Sequence, residues 1–151
     1  MTVVLITGAS GLVGSRLLPR LATFGFDCRA LVRGDLDLPL GTTAVRGDLG
    51  EPGSLQAAVE GVDAVVHLAA LFRTDDQDAI WRANLDGTRN LIDAVRTHSP
   101  RARFVMASTG NVYNTNAARP ALETDTCSPT FSVSLRQPDR NSAFGAPPST
   151  R

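Results

Sequence analysis

The chain has 151 residues, 15 basic and 15 acidic, and all 15 basic residues are arginine, so its formal net charge is zero. That length supports one domain with a real core and not two comfortable ones. The even balance of charge leaves no electrostatic footprint for nucleic acid or an anionic membrane surface, and neither partner is expected.

The opening Val3–Thr7 run is continuously β-rich, with no basic stretch before it, and reads as a buried strand, not as a leader. A glycine turn comes next, then a helical pattern from Leu12 to about Phe24, with Pro19 expected to kink it or loosen one turn. Arg29–Val32 and Thr43–Arg46 read as strands two and three. Ser54 is placed to N-cap a short helix ending at Glu60. Ala64–Leu68 reads as strand four. From about Asp76 to Thr97 the apolar residues Trp81, Leu85, Leu91, Ile92 and Val95, with Thr88 filling the gap, recur at helical spacing, so a single long helix is expected there. Arg103–Ala107 reads as strand five. Strands alternating with helices, the strands largely apolar, call for a parallel sheet covered on both faces.

The pattern stops after Tyr113. Residues 1–113 hold 32 Ile, Leu, Val and Met, whereas 114–151 hold three aliphatic residues (Leu122, Val133, Leu135) and five of the nine prolines. A segment so poor in apolar surface cannot offset its ordering entropy. The expected organisation is a domain over 1–113 and a poorly ordered Pro/Ser/Thr-rich tail over 114–151. The two cysteines, Cys28 and Cys127, show no metal-ligand spacing and fit a reducing, cytoplasmic setting. Cys28 lies in an apolar run and reads as a small buried hydrophobe. No metal site and no membrane span is expected.

The sharpest signal is Thr7-Gly8-Ala9-Ser10-Gly11-Leu12-Val13-Gly14, lying between a strand and a helix. Glycines at 8, 11 and 14 allow a tight turn, a close backbone approach to a pyrophosphate, and tight helix–strand packing. The helix N-terminus adds free N–H groups and the positive end of its dipole. At the end of strand two Val32 is followed by Arg33, whose guanidinium suits a 2′-phosphate. Asp35 and Asp37 just beyond could instead serve a ribose diol. The expected cofactor is therefore NADP(H) in preference to NAD(H).

With its Gly-x-x-Gly-x-x-Gly spacing the chain resembles the extended short-chain dehydrogenase/reductases, the NAD(P)-dependent epimerase/dehydratase family. Four further segments stand in that family's order. Gly47-Asp48-Leu49 matches the place where an acidic residue and its neighbour contact adenine. Val66-His67-Leu68-Ala69-Ala70 matches the fourth-strand segment beneath the cofactor. Asn84-Leu85-Asp86-Gly87-Thr88 matches the central-helix Asn-x-x-Gly-Thr, and Met106–Tyr113 the fifth-strand segment ending in Val-Tyr. The resemblance implies a Rossmann-type, doubly wound parallel sheet in the order 3-2-1-4-5. It implies cofactor contacts from Gly8, Ser10, Gly11, Leu12, Val13, Gly14, Arg33, Asp48, Leu49, Leu68, Ala69, Ala70 and Asn84. Thr109, with Ser108 beside it, would hydrogen-bond a substrate carbonyl or alcohol. His67 reads as a satisfied core histidine, His98 as a residue favoured by a helix C-terminus, and Asn84 as architectural.

The family moves its proton with a Tyr-x-x-x-Lys pair, in which an ammonium and the cofactor bring a phenol of pKa about 10 into range. This chain has no lysine, and its one tyrosine, Tyr113, matches the Val-Tyr element. Ser128-Pro129-Thr130-Phe131-Ser132-Val133-Ser134-Leu135 echoes the expected segment with Thr130 and Ser134 in place of the pair. The expectation is a truncated, catalytically incomplete cofactor-binding part of an oxidoreductase acting on a carbonyl compound or nucleotide sugar. Its alternatives are a non-catalytic NADP(H)-binding sensor or docking module, and an unusual reductase using Thr109 and a water. An exposed apolar face on the 76–97 helix would favour a homodimer.

Overall fold

The computed structural model, which describes residues 1–109 and 122–125, sets five parallel strands side by side: β1 (Val3–Thr7), β2 (Asp27–Val32), β3 (Thr42–Arg46), β4 (Ala64–His67) and β5 (Arg103–Met106). Their order is β3-β2-β1-β4-β5, as the sequence implied. Thr7 stands level with Leu31 on one side and His67 on the other, and His67 is level with Met106. The C-terminal ends of the strands therefore share one edge of the sheet, and the connections run outward in both directions from β1. That is the switch-point arrangement in which open α/β sheets bind ligands.

Both faces of the sheet are covered. On one, Val4, Ile6, Cys28, Ala30 and Val32 pack with Leu18 of α1 (Gly14–Thr23). On the other, Leu5, Leu31 and Val65 pack with Leu55, with Ala58 and Val59 of α2 (Gln56–Val59), and with Leu91 and Val95 of α4 (Gly87–His98). Leu5, Ile6, Leu18 and Leu91 are fully buried, and each such side chain contributes roughly 1.5–3 kcal/mol. Cys28 is buried too; burial, aided by the charge of Asp27, pushes its thiol pKa up, which keeps it unreactive.

α1 keeps Pro19 inside it and closes on paired bonds from Phe26 N–H to the Leu21 carbonyl and from Gly25 N–H to the Ala22 carbonyl. Ser54 corrects an expectation. Leu55, not Ser54, occupies the N-cap of α2, because the Ser54 hydroxyl is drawn to the carbonyls of Glu51 (2.7 Å) and Asp48 (3.1 Å) across a 3₁₀ turn at Pro52–Ser54.

The long helix expected from Asp76 to Thr97 is not one regular helix. Asp76 caps α3 (Gln77–Trp81) by accepting the Ala79 N–H, a π-helical turn occupies Arg82–Asp86, and α4 comes after it. The extra residue in the π turn rotates α4 relative to α3, so the apolar stripe does not stay on one face. Leu91 and Val95 are buried while Trp81 and Ile92 remain exposed.

Met1–Ala107 forms one compact unit, and Ser108 onward belongs to a second. The boundary expected at 113 and most of the tail expected from 114 lie outside the described residues. Within the tail, Leu122 N–H donates to Asp125 Oδ2 at 2.8 Å and Asp125 N–H to the Leu122 carbonyl at 3.0 Å, closing a turn. Among the described residues no helix is long and apolar enough to cross a membrane.

Candidate functional site

The turn from β1 into α1 is built on close backbone approach. Gly8 has φ +72°, and a Cβ there would lie 2.7 Å from the Ala69 nitrogen and the Leu68 carbonyl carbon. At Gly14 an added methyl would overlap the Gly8 carbonyl oxygen. These two positions hold β1, α1 and the segment after β4 within backbone contact. Gly11 N–H bonds the Gly8 carbonyl at 3.0 Å and tightens the turn.

The turn leaves donors over. Val13, at the N-cap of α1, supplies no side-chain cap, and the first helical N–H groups paired backward belong to Ser15, Arg16 and Leu17. Among the described residues, no protein acceptor takes the N–H of Leu12 or Val13. Ser10, Gly11, Leu12 and Val13 are all exposed, the two apolar side chains by 71 % and 60 %. An uncapped helix N-terminus of a ten-residue helix, with donors free and the dipole behind it, is a place for an anion.

The ends of β2, β3 and β4 deliver other expected residues to the same edge. Arg33 follows β2, is exposed, and makes no salt bridge among the described residues. The nearby Asp35 is engaged elsewhere, accepting from Arg46 Nη2 at 2.7 Å. Asp48 and Leu49 follow β3, both half-buried. Leu68 and Ala69 are half-buried and Ala70 exposed after β4. Ser108 and Thr109 follow β5 in sequence, are exposed, and belong to the second unit. Tyr113 and the 128–135 segment lie outside the described residues.

Beneath this edge a buried hydrogen-bond chain fixes the sheet to the helical run. His67, 3 % exposed, contacts Thr7 Oγ1 through Nδ1 at 2.6 Å and Thr88 Oγ1 through Nε2 at 2.9 Å. The Thr88 hydroxyl hydrogen is committed to the Asn84 carbonyl at 2.6 Å, so Thr88 must accept from the ring. His67 is thereby the neutral Nε2–H tautomer, and Thr7 donates to Nδ1 while accepting from the Ala69 N–H at 3.3 Å. Burial pushes the His67 pKa down, in keeping with a neutral ring. Asn84, carried on the π turn, takes the Leu71 N–H on Oδ1 and gives Nδ2–H to the Leu71 carbonyl, both at 2.7 Å. Its contacts are wholly to main chain.

Thr7 and Thr88 stand inside two of the motifs read from the sequence, but neither was assigned a role in the site. The available signal was a threonine occupying a core position in an otherwise apolar periodicity. Asn90 carried no signal at all: it is an ordinary polar residue on a helix until α4 is packed, and then its Nδ2–H meets the Leu49 carbonyl at 2.8 Å.

The model of the NAD dependent epimerase/dehydratase family matches residues 4–135. Among curated proteins, a ceramide reductase of Caulobacter vibrioides is 37 % identical over 110 residues, covering 70 % of this chain and 34 % of that protein. A dihydroflavonol 4-reductase of Dianthus caryophyllus is 32 % identical over 139 residues, 82 % of this chain and 38 % of the relative. Among solved structures, a Thermus thermophilus UDP-glucose 4-epimerase in complex with NAD superposes with a TM-score of 0.74 at 27 % identity, over 85 % of this chain and 45 % of that one. A short-chain dehydrogenase/reductase superfamily protein of Agrobacterium tumefaciens with bound NAD gives 0.69 at 34 % identity, over 85 % and 39 %. The chain spans somewhat more than a third of the length of the curated relatives it matches.

Proposed function

This chain belongs to the NAD dependent epimerase/dehydratase family, and we propose on that premise that its β1–α1 turn holds the pyrophosphate of NADP(H) for a reductase-type reaction on a small-molecule carbonyl. The observation that carries the proposal is the pair of unclaimed N–H groups at Leu12 and Val13, set at an uncapped helix N-terminus beside the sheet's switch point. Gly8, Ser10, Gly11 and Gly14 shape the cradle. Leu68, Ala69 and Ala70 form its floor, held by the Thr7–His67–Thr88 chain. Asn84 holds the following backbone at Leu71, and Asp48 with Leu49 takes the adenine end. Bound nicotinamide supplies hydride exchange with a substrate carbon. Ser108 and Thr109 are the hydroxyls assigned to the substrate oxygen.

Arg33 is the proposed discriminator between the two dinucleotides. It follows Val32, the position at the end of β2 where a carboxylate would serve a ribose diol, and Asp35, the next acidic residue along the chain, is paired with Arg46. The Caulobacter and Dianthus relatives are both reductases, which favours carbonyl reduction over epimerisation for the whole protein. Self-association through the 77–98 run is part of the same proposal, on the exposure of Trp81 and Ile92.

The test is a fluorescence titration with NADPH and NADH. NADPH should bind more tightly, and Arg33→Asp should cost about 1.5–3 kcal/mol of NADPH binding while leaving NADH nearly unchanged. Equal affinities of the parent chain for both dinucleotides would refute the assignment of Arg33.

A second reading is favoured by one feature of the 151 residues: they contain no lysine and no Tyr-x-x-x-Lys pair. On that reading these residues bind the cofactor without turning substrate over, as an incomplete catalytic part or as a sensor.

A further inference from the structure

Leu49 and Gly50 share one peptide plane, and both ends of that plane are taken. Its carbonyl accepts Nδ2–H from Asn90 of α4 at 2.8 Å, and its N–H donates to Asp48 Oδ1 at 2.8 Å. A carbonyl can only accept, so the contacting atom of Asn90 is the amide nitrogen. The peptide is rigid and planar, so holding the oxygen holds the N–H. Accepting a bond at the oxygen also polarises the N–H that grips the carboxylate.

The main chain of Asp48 is fixed separately. Its N–H donates to Ser54 Oγ at 2.9 Å and its carbonyl accepts from that hydroxyl at 3.1 Å. Its carboxylate is different: among the described residues only the Gly50 N–H bonds it, at Oδ1, and Oδ2 takes no bond. Whatever orients the Leu49–Gly50 plane therefore orients the carboxylate. Asn90 reaches that plane from another element, 41 residues along the chain.

We infer that Asn90 is a positioning residue for base recognition: through the Leu49–Gly50 peptide it sets the Asp48 carboxylate with Oδ2 free to accept the exocyclic amine of an adenine. This rests on the proposed cofactor role of Asp48. It adds a residue on a different element that governs which base the site accepts. A hypoxanthine ring carries a carbonyl where adenine carries the amine, and a fixed carboxylate repels it.

The experiment compares binding of NADPH with that of its reduced hypoxanthine analogue to the full chain. The parent should prefer the adenine form by about tenfold or more, the worth of one hydrogen bond to a charged group. Asn90→Leu should abolish most of that preference while leaving affinity for the hypoxanthine analogue close to the parent's. Added to Asp48→Ala, it should change the preference no further, since both act on one contact. A general loss of packing would weaken both ligands alike and leave the ratio unmoved.

The ligand-free protein gives an independent arm. The Gly50 amide should exchange faster in Asn90→Leu, with the Ala69 amide unchanged. Undiminished preference in Asn90→Leu, or an unaltered Gly50 amide, overturns the inference while leaving cofactor binding intact. Binding of neither dinucleotide by the parent defeats the functional proposal itself. Should Asn90→Leu not fold, Asn90→Ala is read the same way. Loss of folding in both would make Asn90 a stability residue and count against the inference.

Discussion

His67 shows how one side chain can be fixed in charge and tautomer by its neighbours. Both ring nitrogens are bonded in the only way the two threonine hydroxyls permit, and the ring lies under the floor of the proposed cradle. Protonation would put a hydrogen on Nδ1, against a hydroxyl already donating to it. The consequence for stability has a definite sign. The folded-state pKa lies below the ordinary 6.5, so as pH falls the unfolded chain takes up the proton first. The stabilisation due to the neutral ring is fully present above 6.5 and is lost as pH drops from there toward the folded value. Urea midpoints should therefore hold steady between about pH 8 and 7 and decline as the pH falls below about 6.5. His67→Gln should be less stable throughout and should lack that part of the decline. An identical slope in the variant would show that the ring is not the titrating group.

At the scale of elements, what was legible came from local rules. Val3–Thr7 was readable to the residue because four apolar residues and a β-branched threonine run into a glycine turn. The other strands were readable to within two residues at either end, since their alternation with helices leaves few other parallel topologies. The break at Arg82–Asp86 was not legible. A π turn is stabilised by what it allows, here the two bonds from Asn84 to Leu71, and those depend on a segment thirteen residues earlier being packed alongside. Ser54 was misread for a similar reason: its hydroxyl had two carbonyls within reach that only the folded turn brings near. A missing element also sets an expectation for chemistry. On the second reading, in which these residues bind the cofactor without turnover, the 151-residue chain should show no measurable carbonyl reduction, epimerisation or dehydration, because losing a positioned proton-transfer group costs about 10²–10⁴-fold. Turnover of any such substrate, abolished by Thr109→Val, would establish instead that Thr109 and a water suffice.

At the scale of the whole molecule, five parallel strands bring the ends of β1, β2, β3 and β4 to one edge, and the sequence distributes its unusual residues there: glycines after β1, Arg33 after β2, Asp48 after β3, two alanines after β4. The helical run 77–98 then ties two of those ends together, through Thr88 and Asn84 at β4 and Asn90 at β3. The central claim is that the unclaimed donors of the β1–α1 turn hold a pyrophosphate. The most direct test is amide hydrogen exchange of the full chain, resolved by residue, with and without saturating NADPH. Leu12 and Val13 amides, which meet no protein acceptor among the described residues, should exchange freely alone and slow by about tenfold or more with cofactor, as expected for a bond to a charged oxygen. The Gly11 amide, already bonded to Gly8, should change little. Saturation with NADPH that leaves Leu12 and Val13 exchanging as before would contradict the account.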